Sequence, residues 1–103
     1  MDDTRFHLLV DAVFLEIEDR VDGLSHDIDI DASMGVLTFT FEDGGTIILS
    51  RQVASREIWI AAKSGGYRLK FDNENWICTA TDEHLKMLID RIFFELDGSR
   101  PFT

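Results

Sequence analysis

Val36-Leu37-Thr38-Phe39-Thr40-Phe41-Glu42-Asp43-Gly44-Gly45-Thr46-Ile47-Ile48-Leu49-Ser50-Arg51 is the stretch whose reading decides the fold. Apolar and small polar residues alternate from Val36 to Phe41 and run on from Thr46 to Arg51, the pattern of strands with one buried face. Asp43-Gly44-Gly45 between them is a strong hairpin signal. Upstream, Asp27-Ile28-Asp29-Ile30-Asp31 alternates strictly, sending two isoleucines to the core and three aspartates outward, and Met34-Gly35 supplies the turn. Downstream, Glu57 to Ala62, Tyr67 to Phe71 and Trp76-Ile77-Cys78 continue the series, with turns at Gly65-Gly66 and Asn73-Glu74-Asn75. A parallel sheet needs long crossovers, and this series has none, so the sheet is expected to be antiparallel with about six strands.

Helices flank it. Phe6, Leu9, Val10, Val13, Phe14, Ile17, Val21 and Leu24 recur at three- and four-residue spacing, which predicts an amphipathic helix with Thr4 as N-cap and Gly23 as its end. Leu8 and Leu15 lie beyond the border of that stripe, so some apolar surface is expected to stay exposed. A second helix, capped by Thr81 or Asp82, has the core face Leu85, Leu88, Ile89, Ile92, Phe93 and Leu96 and stops at Asp97-Gly98. Ser99 to Thr103 reads as a short tail. The expected architecture is α+β: a two-layer sandwich with two terminal helices on one face of the sheet, in one domain over residues 1–103. The other face of the sheet is left for solvent or a partner.

The chain has 103 residues and a net charge of −10. Ten acids and only Arg5 and Arg20 fall within the first 31 residues, a local net of −8. Such asymmetry bears on partners and not on fold. It disfavours nucleic acid, whose binding depends on neutralising phosphates with Lys and Arg. The lone Cys78 excludes an internal disulfide and a multi-cysteine zinc site. No stretch approaches the ~18 apolar residues of a membrane span, and Met1 to His7 has no signal-peptide pattern. A cytoplasmic setting, with no membrane partner, is the expectation.

Few chemical motifs survive inspection. Asp27-x-Asp29-x-Asp31 imitates the start of an EF-hand loop, but Ala32 and Thr38 stand where glycine and glutamate are required. On a strand these aspartates lie about 6–7 Å apart, too far for one tight chelate. That spacing suits hard cations held weakly by one or two carboxylates and water. Asp3, His7, Asp11, Glu18 and Asp22 form a stripe along the first helix, with Asp19 further round. His26 and His84 have no paired spacing. Cys78 has no basic sequence neighbour to activate it and reads as a buried strand residue. If Ile58 and Ile60 face the helices, Trp59 faces the open side of the sheet, where an exposed tryptophan often marks a binding surface. The alternative is that Trp59 points inward, or stacks on Arg51 or Arg68 without a further role. The sequence leaves both open.

Taken in order, the acidic helix, the D-x-D-x-D strand, Leu49-Ser50-Arg51-Gln52, Ile58 to Tyr67 and Trp76-Ile77-Cys78 resemble the bacterial frataxin (CyaY-like) family over essentially the whole chain. Phe6-His7 and Ile17-Glu18-Asp19-Arg20 fit the same pattern. The resemblance implies an α-β sandwich and weak binding of iron, Fe2+ or Fe3+, with other divalent cations as alternatives. That binding would lie on a ridge of Asp3, His7, Asp11, Glu18, Asp19, Asp22, Asp27, Asp29 and Asp31. It implies a role in iron–sulfur cluster assembly, docking on the cysteine desulfurase and working with the scaffold protein. Partner contacts would fall on Glu18, Asp19, Asp22, Ser50, Gln52 and Trp59. Ser50, Ala54, Glu57 and Leu69 depart from the family's usual residues, and Gly23 and Ser25 thin the ridge.

Two functional classes stand at this point. One is a non-enzymatic iron-binding regulator or adaptor, expected as a monomer, with iron-driven oligomers left open. The other is a ferroxidase or iron store on the same ridge. No Glu-x-x-His pair of the di-iron type is present, which favours the first. An acidic protein-binding module with incidental metal affinity is the plainest third option.

Overall fold

Six antiparallel strands lie side by side in sequence order, β1 (Ile28–Ser33), β2 (Val36–Phe41), β3 (Thr46–Gln52), β4 (Glu57–Ala62), β5 (Gly65–Asp72) and β6 (Asn75–Cys78). The computed structural model describes residues 1–103. Helices α1 (Asp3–Asp22) and α2 (Leu85–Asp97) cover one face, giving the two-layer sandwich expected from the strand series.

The alternation sets the two faces. Leu37, Phe39, Ile47, Leu49, Ile58, Ile60, Leu69 and Cys78 point inward and are buried. Against them α1 sets Phe6, Val10, Phe14, Ile17 and Val21, and α2 sets Leu85, Leu88, Ile89, Ile92 and Phe93. Phe93 meets Phe39 and Phe41 edge to face, with centroids 5.4 and 5.3 Å away. Ile28 and Ile30 are only half-buried, because β1 is an edge strand and the helices do not fully cover it. Leu8 and Leu15 remain exposed on the outer side of α1.

Three local expectations are corrected. The α1 cap is Asp2 and not Thr4: its carboxylate accepts the Arg5 N–H at 2.8 Å, so the helix begins earlier. The second helix starts at Leu85 after His84, without a side-chain cap, and neither Thr81 nor Asp82 caps it. The preceding loop is tied to β6 instead: Cys78 N–H donates to the Glu83 carbonyl and Asp82 N–H to the Cys78 carbonyl, both at 2.9 Å. Those bonds postpone the helix by two or three residues. Finally, Ser99–Thr103 is no loose tail. Ser99 and Pro101 are buried, the Phe102 N–H donates to Asp90 Oδ1 at 2.8 Å, and Thr103 Oγ1 donates to Asp90 Oδ2 at 2.9 Å. The Phe102 ring lies between Arg20 and Lys86, 5.3 and 5.5 Å from its centroid, so the last residues bind the two helices together.

Met34 and Gly35 turn β1 into β2 with φ of 55° and 77°, the left-handed pair of a tight hairpin. A Cβ at Gly35 would make only ordinary contact with Arg51 Nε at 3.5 Å, so the left-handed backbone, and not lack of space, is what favours glycine there.

Candidate functional site

The nine residues of the expected ridge are distributed over four places. On the first half of α1, Asp3, His7 and Asp11 share a face that looks toward the ends of β3 and β4. Further along, Glu18 is half-buried and Asp19 and Asp22 are exposed. On β1, Asp29 and Asp31 pair with Thr40 and Thr38 and therefore point to the face of the sheet away from the helices. Asp31 accepts a hydrogen bond from Ser33 Oγ at 2.8 Å.

Glu18 and Asp11 border a shallow groove of about 300 Å³ between α1 and the β1–β2 hairpin, together with Leu15, Ala32, Gly35 and Arg51. Asp27 sits apart. It lines a separate cavity of about 500 Å³ with His26, Glu42, Asp43 and Asp97, where the β2–β3 turn meets the end of α2. His26 Nδ1 and Asp97 Oδ2 close one side of it at 2.9 Å. Glu42, Asp43 and Asp97 escaped the sequence reading because this neighbourhood is made by three separate segments.

No three His, Cys, Asp or Glu side chains are arranged to hold a metal ion. The carboxylates are instead spread over separate parts of the surface. Three of the nine ridge residues are also held by arginines of the same chain. Arg51 Nη2 donates to Asp11 Oδ1 at 2.7 Å, Arg51 Nη1 to His7 Nδ1 at 3.0 Å, and Arg56 Nη2 lies 2.5 Å from Asp3 Oδ1. Glu18, Asp19, Asp22, Asp27, Asp29 and Asp31 make no ion pair.

The open face of the sheet gathers the other group. Ser50, Trp59 and Arg68 are lateral neighbours across β3, β4 and β5, and Gln52, Glu57 and Lys70 form the next row. Trp59 is half-exposed on this face, with its indole over the Arg68 guanidinium and Nε1 donating to Glu57 Oε1 at 3.1 Å. The two sequence readings of Trp59 are thus combined: it faces outward and it stacks on Arg68. A shallow cavity of about 390 Å³ beside it is lined by Ile48, Ser50, Ala61, Gly66, Tyr67 and Arg68. Three strand spacings, about 14 Å, separate Trp59 from β1. The face therefore runs from acidic at Asp29 and Asp31 to basic at Arg68 and Lys70.

Burial would raise the Glu57 carboxyl. Hydrogen bonds from Trp59 and Ser55, with Lys70 and Arg68 nearby, outweigh that and hold it below the usual carboxylate range. Glu57 is therefore an anion under the indole, and it orients the Trp59 ring. Cys78 is fully buried in β6, which leaves it no access to a substrate.

The Frataxin-like domain family model matches residues 1–96. Among named relatives, the iron-sulfur cluster assembly protein CyaY of Stutzerimonas stutzeri is 43% identical over 100 residues, covering 95% of this chain and 91% of that protein. CyaY of Pseudomonas syringae pv. tomato is 44% identical over 99 residues, covering 94% and 90%. Frataxin from Psychromonas ingrahamii superposes with a TM-score of 0.90 at 24% identity, covering 97% of this chain and 95% of that one. Trimeric yeast frataxin, from Saccharomyces cerevisiae and complexed with ferrous iron, superposes with a TM-score of 0.68 at 22% identity, covering 92% and 85%. At these identities the structural matches speak for the fold.

Proposed function

The chain belongs to the frataxin-like family, and from that membership we propose that it serves iron–sulfur cluster assembly as an iron-binding regulator or adaptor and not as an enzyme. It holds iron weakly as cargo, docks on the cysteine desulfurase through its acidic ridge, and acts in the cytoplasm beside the scaffold protein. The relatives named for cluster assembly support the process. The observation that carries the ridge reading is the net charge of −8 in residues 1–31, which fold into one helix and the edge strand beside it. A surface of that sign seeks a basic patch, and its attraction acts mainly on association rate.

The test is binding to the purified desulfurase at several salt concentrations. Affinity is expected to fall steeply as the Debye length shrinks from ~10 Å at 0.1 M to ~3 Å at 1 M. Lysine at Glu18, Asp19 and Asp22 together is expected to weaken binding while leaving the fold intact. Binding that ignores salt and all three reversals overturns the docking model. Saturable oxygen consumption with Fe(II), above that of buffer, would overturn the non-enzymatic reading.

A further inference from the structure

The acidic face of α1 carries its own counter-ions. Arg51 follows Leu49 on the inner side of β3, and its side chain is only 16% exposed. Its guanidinium lies 5.5 Å from the Phe14 ring centroid while binding Asp11 and His7. Packing therefore fixes its position, which a fully exposed surface arginine would lack. Arg56, at the β3–β4 turn, holds the Val53 carbonyl with one amino group and Asp3 with the other.

We propose that Arg51 and Arg56 are resident counter-ions that close Asp3, His7 and Asp11 to cations. On this view the working ridge is Glu18, Asp19, Asp22, Asp27, Asp29 and Asp31. The proposal refines the ridge reading given above, and its chemistry does not depend on the incoming cation being iron.

The chemistry at His7 is specific. A guanidinium has donors and no acceptor, so the His7 Nδ1 facing Arg51 Nη1 must use its lone pair to accept. The neutral ring then carries its proton on Nε2. Neither nitrogen has a lone pair to give a metal while Arg51 stays in place. Asp11 is held by the same guanidinium. A cation arriving there must displace Arg51, which would remain charged over Phe14 without its carboxylate, and its Nε already lacks a partner. The other six acids demand no such exchange.

The experiment is a titration with Mn(II) followed by paramagnetic broadening of amide and His7 ring signals, in the intact chain and in R51Q and R56Q. In the unaltered chain, broadening is expected first at Glu18 to Asp31, with His7 and Asp11 needing about fivefold more Mn(II) or higher. R51Q is expected to bring His7 and Asp11 to the lower concentration, and R56Q to do the same for Asp3. Early broadening of His7 and Asp11 in the unaltered chain overturns the proposal. So does an R51Q chain in which they still do not respond. Should the unaltered chain bind no Mn(II) anywhere while R51Q binds it at His7 and Asp11, the counter-ion role stands and the cation reading of the ridge falls. Should R51Q not fold, D11N asks the same question in the native fold. It is expected to leave Mn(II) affinity within about twofold, and a loss as large as that of D29N overturns the proposal.

Discussion

The Arg68 guanidinium stands 4.8 Å from the centroid of the Trp59 ring, on the face of the sheet that no helix covers. This contact orders a large side chain in the open, and Glu57 fixes its other end. Trp59→Ala removes a half-buried indole, an exposed cation–π contact of about 0.5–1 kcal/mol and one donor to Glu57, so stability should fall by about 1–2 kcal/mol in urea unfolding. If the face meets the partner, the same change weakens binding through the dissociation rate, and the loss persists at high salt.

Glu83 accepts from Arg91 Nε and Nη2 at 2.9 and 2.8 Å, joining the β6–α2 loop to the helix it precedes. That hydrogen bonding draws the Glu83 carboxyl below its ordinary value of 4.5; burial opposes the shift and Thr81 assists it. The unfolded chain therefore takes up its proton first as pH falls. The stabilisation is complete above about pH 4.5 and is lost as pH drops through the lower, folded value. Glu57 contributes with the same sign. Glu83→Gln is expected to cost about 1 kcal/mol near neutrality and to flatten the acid limb of stability against pH.

Asp22 and Asp29 have no cationic partner, and each sits among like charges. Asp22→Asn and Asp29→Asn should leave the melting temperature unchanged or raise it, and added salt or divalent cation should raise that of the unaltered chain. Asp11→Asn should instead lose up to about 1 kcal/mol, because Arg51 keeps its place with a poorer acceptor.

Removal of Arg100 to Thr103 takes away the Phe102 ring between Arg20 and Lys86 and leaves Asp90 without either of its bonds to the tail. A loss of about 2 kcal/mol is expected, and Phe102→Ala should account for most of it in thermal or urea melts.

The strand series was readable because each hairpin is a local event: alternation supplies the faces and Met34-Gly35 or Asp43-Gly44-Gly45 supplies the reversal. The helices were readable from period, but their first residues were not. Asp2 and Thr4 both satisfy the capping rule, and only the formed bond to Arg5 N–H distinguishes them. The α2 start depended on bonds to β6, which no helical pattern contains. In the candidate site, the sequence grouped the acids by helix face and by strand parity. It gave no sign of Arg51 reaching His7 and Asp11, because those residues meet only when α1 lies across β3. The tail was misread for a similar reason: Phe102 has no periodic neighbours, and its surroundings come from Arg20, Lys86 and Asp90.

The nearest-neighbour order of the sheet has a consequence for synthesis on the ribosome. Each strand pairs with the one made just before it, so the sheet can be laid down hairpin by hairpin at little loop-closure cost. Helix α1 is the exception: it emerges first, yet its buried side meets Arg51 over Phe14 and Trp76 beside Phe6, which come much later. The nascent chain must carry Phe6, Val10, Phe14 and Ile17 uncovered through most of translation, when such surfaces are prone to aggregate. The dense negative charge of that same segment repels other nascent copies during the wait. The acids on α1 thus protect the protein before there is a folded surface for them to serve.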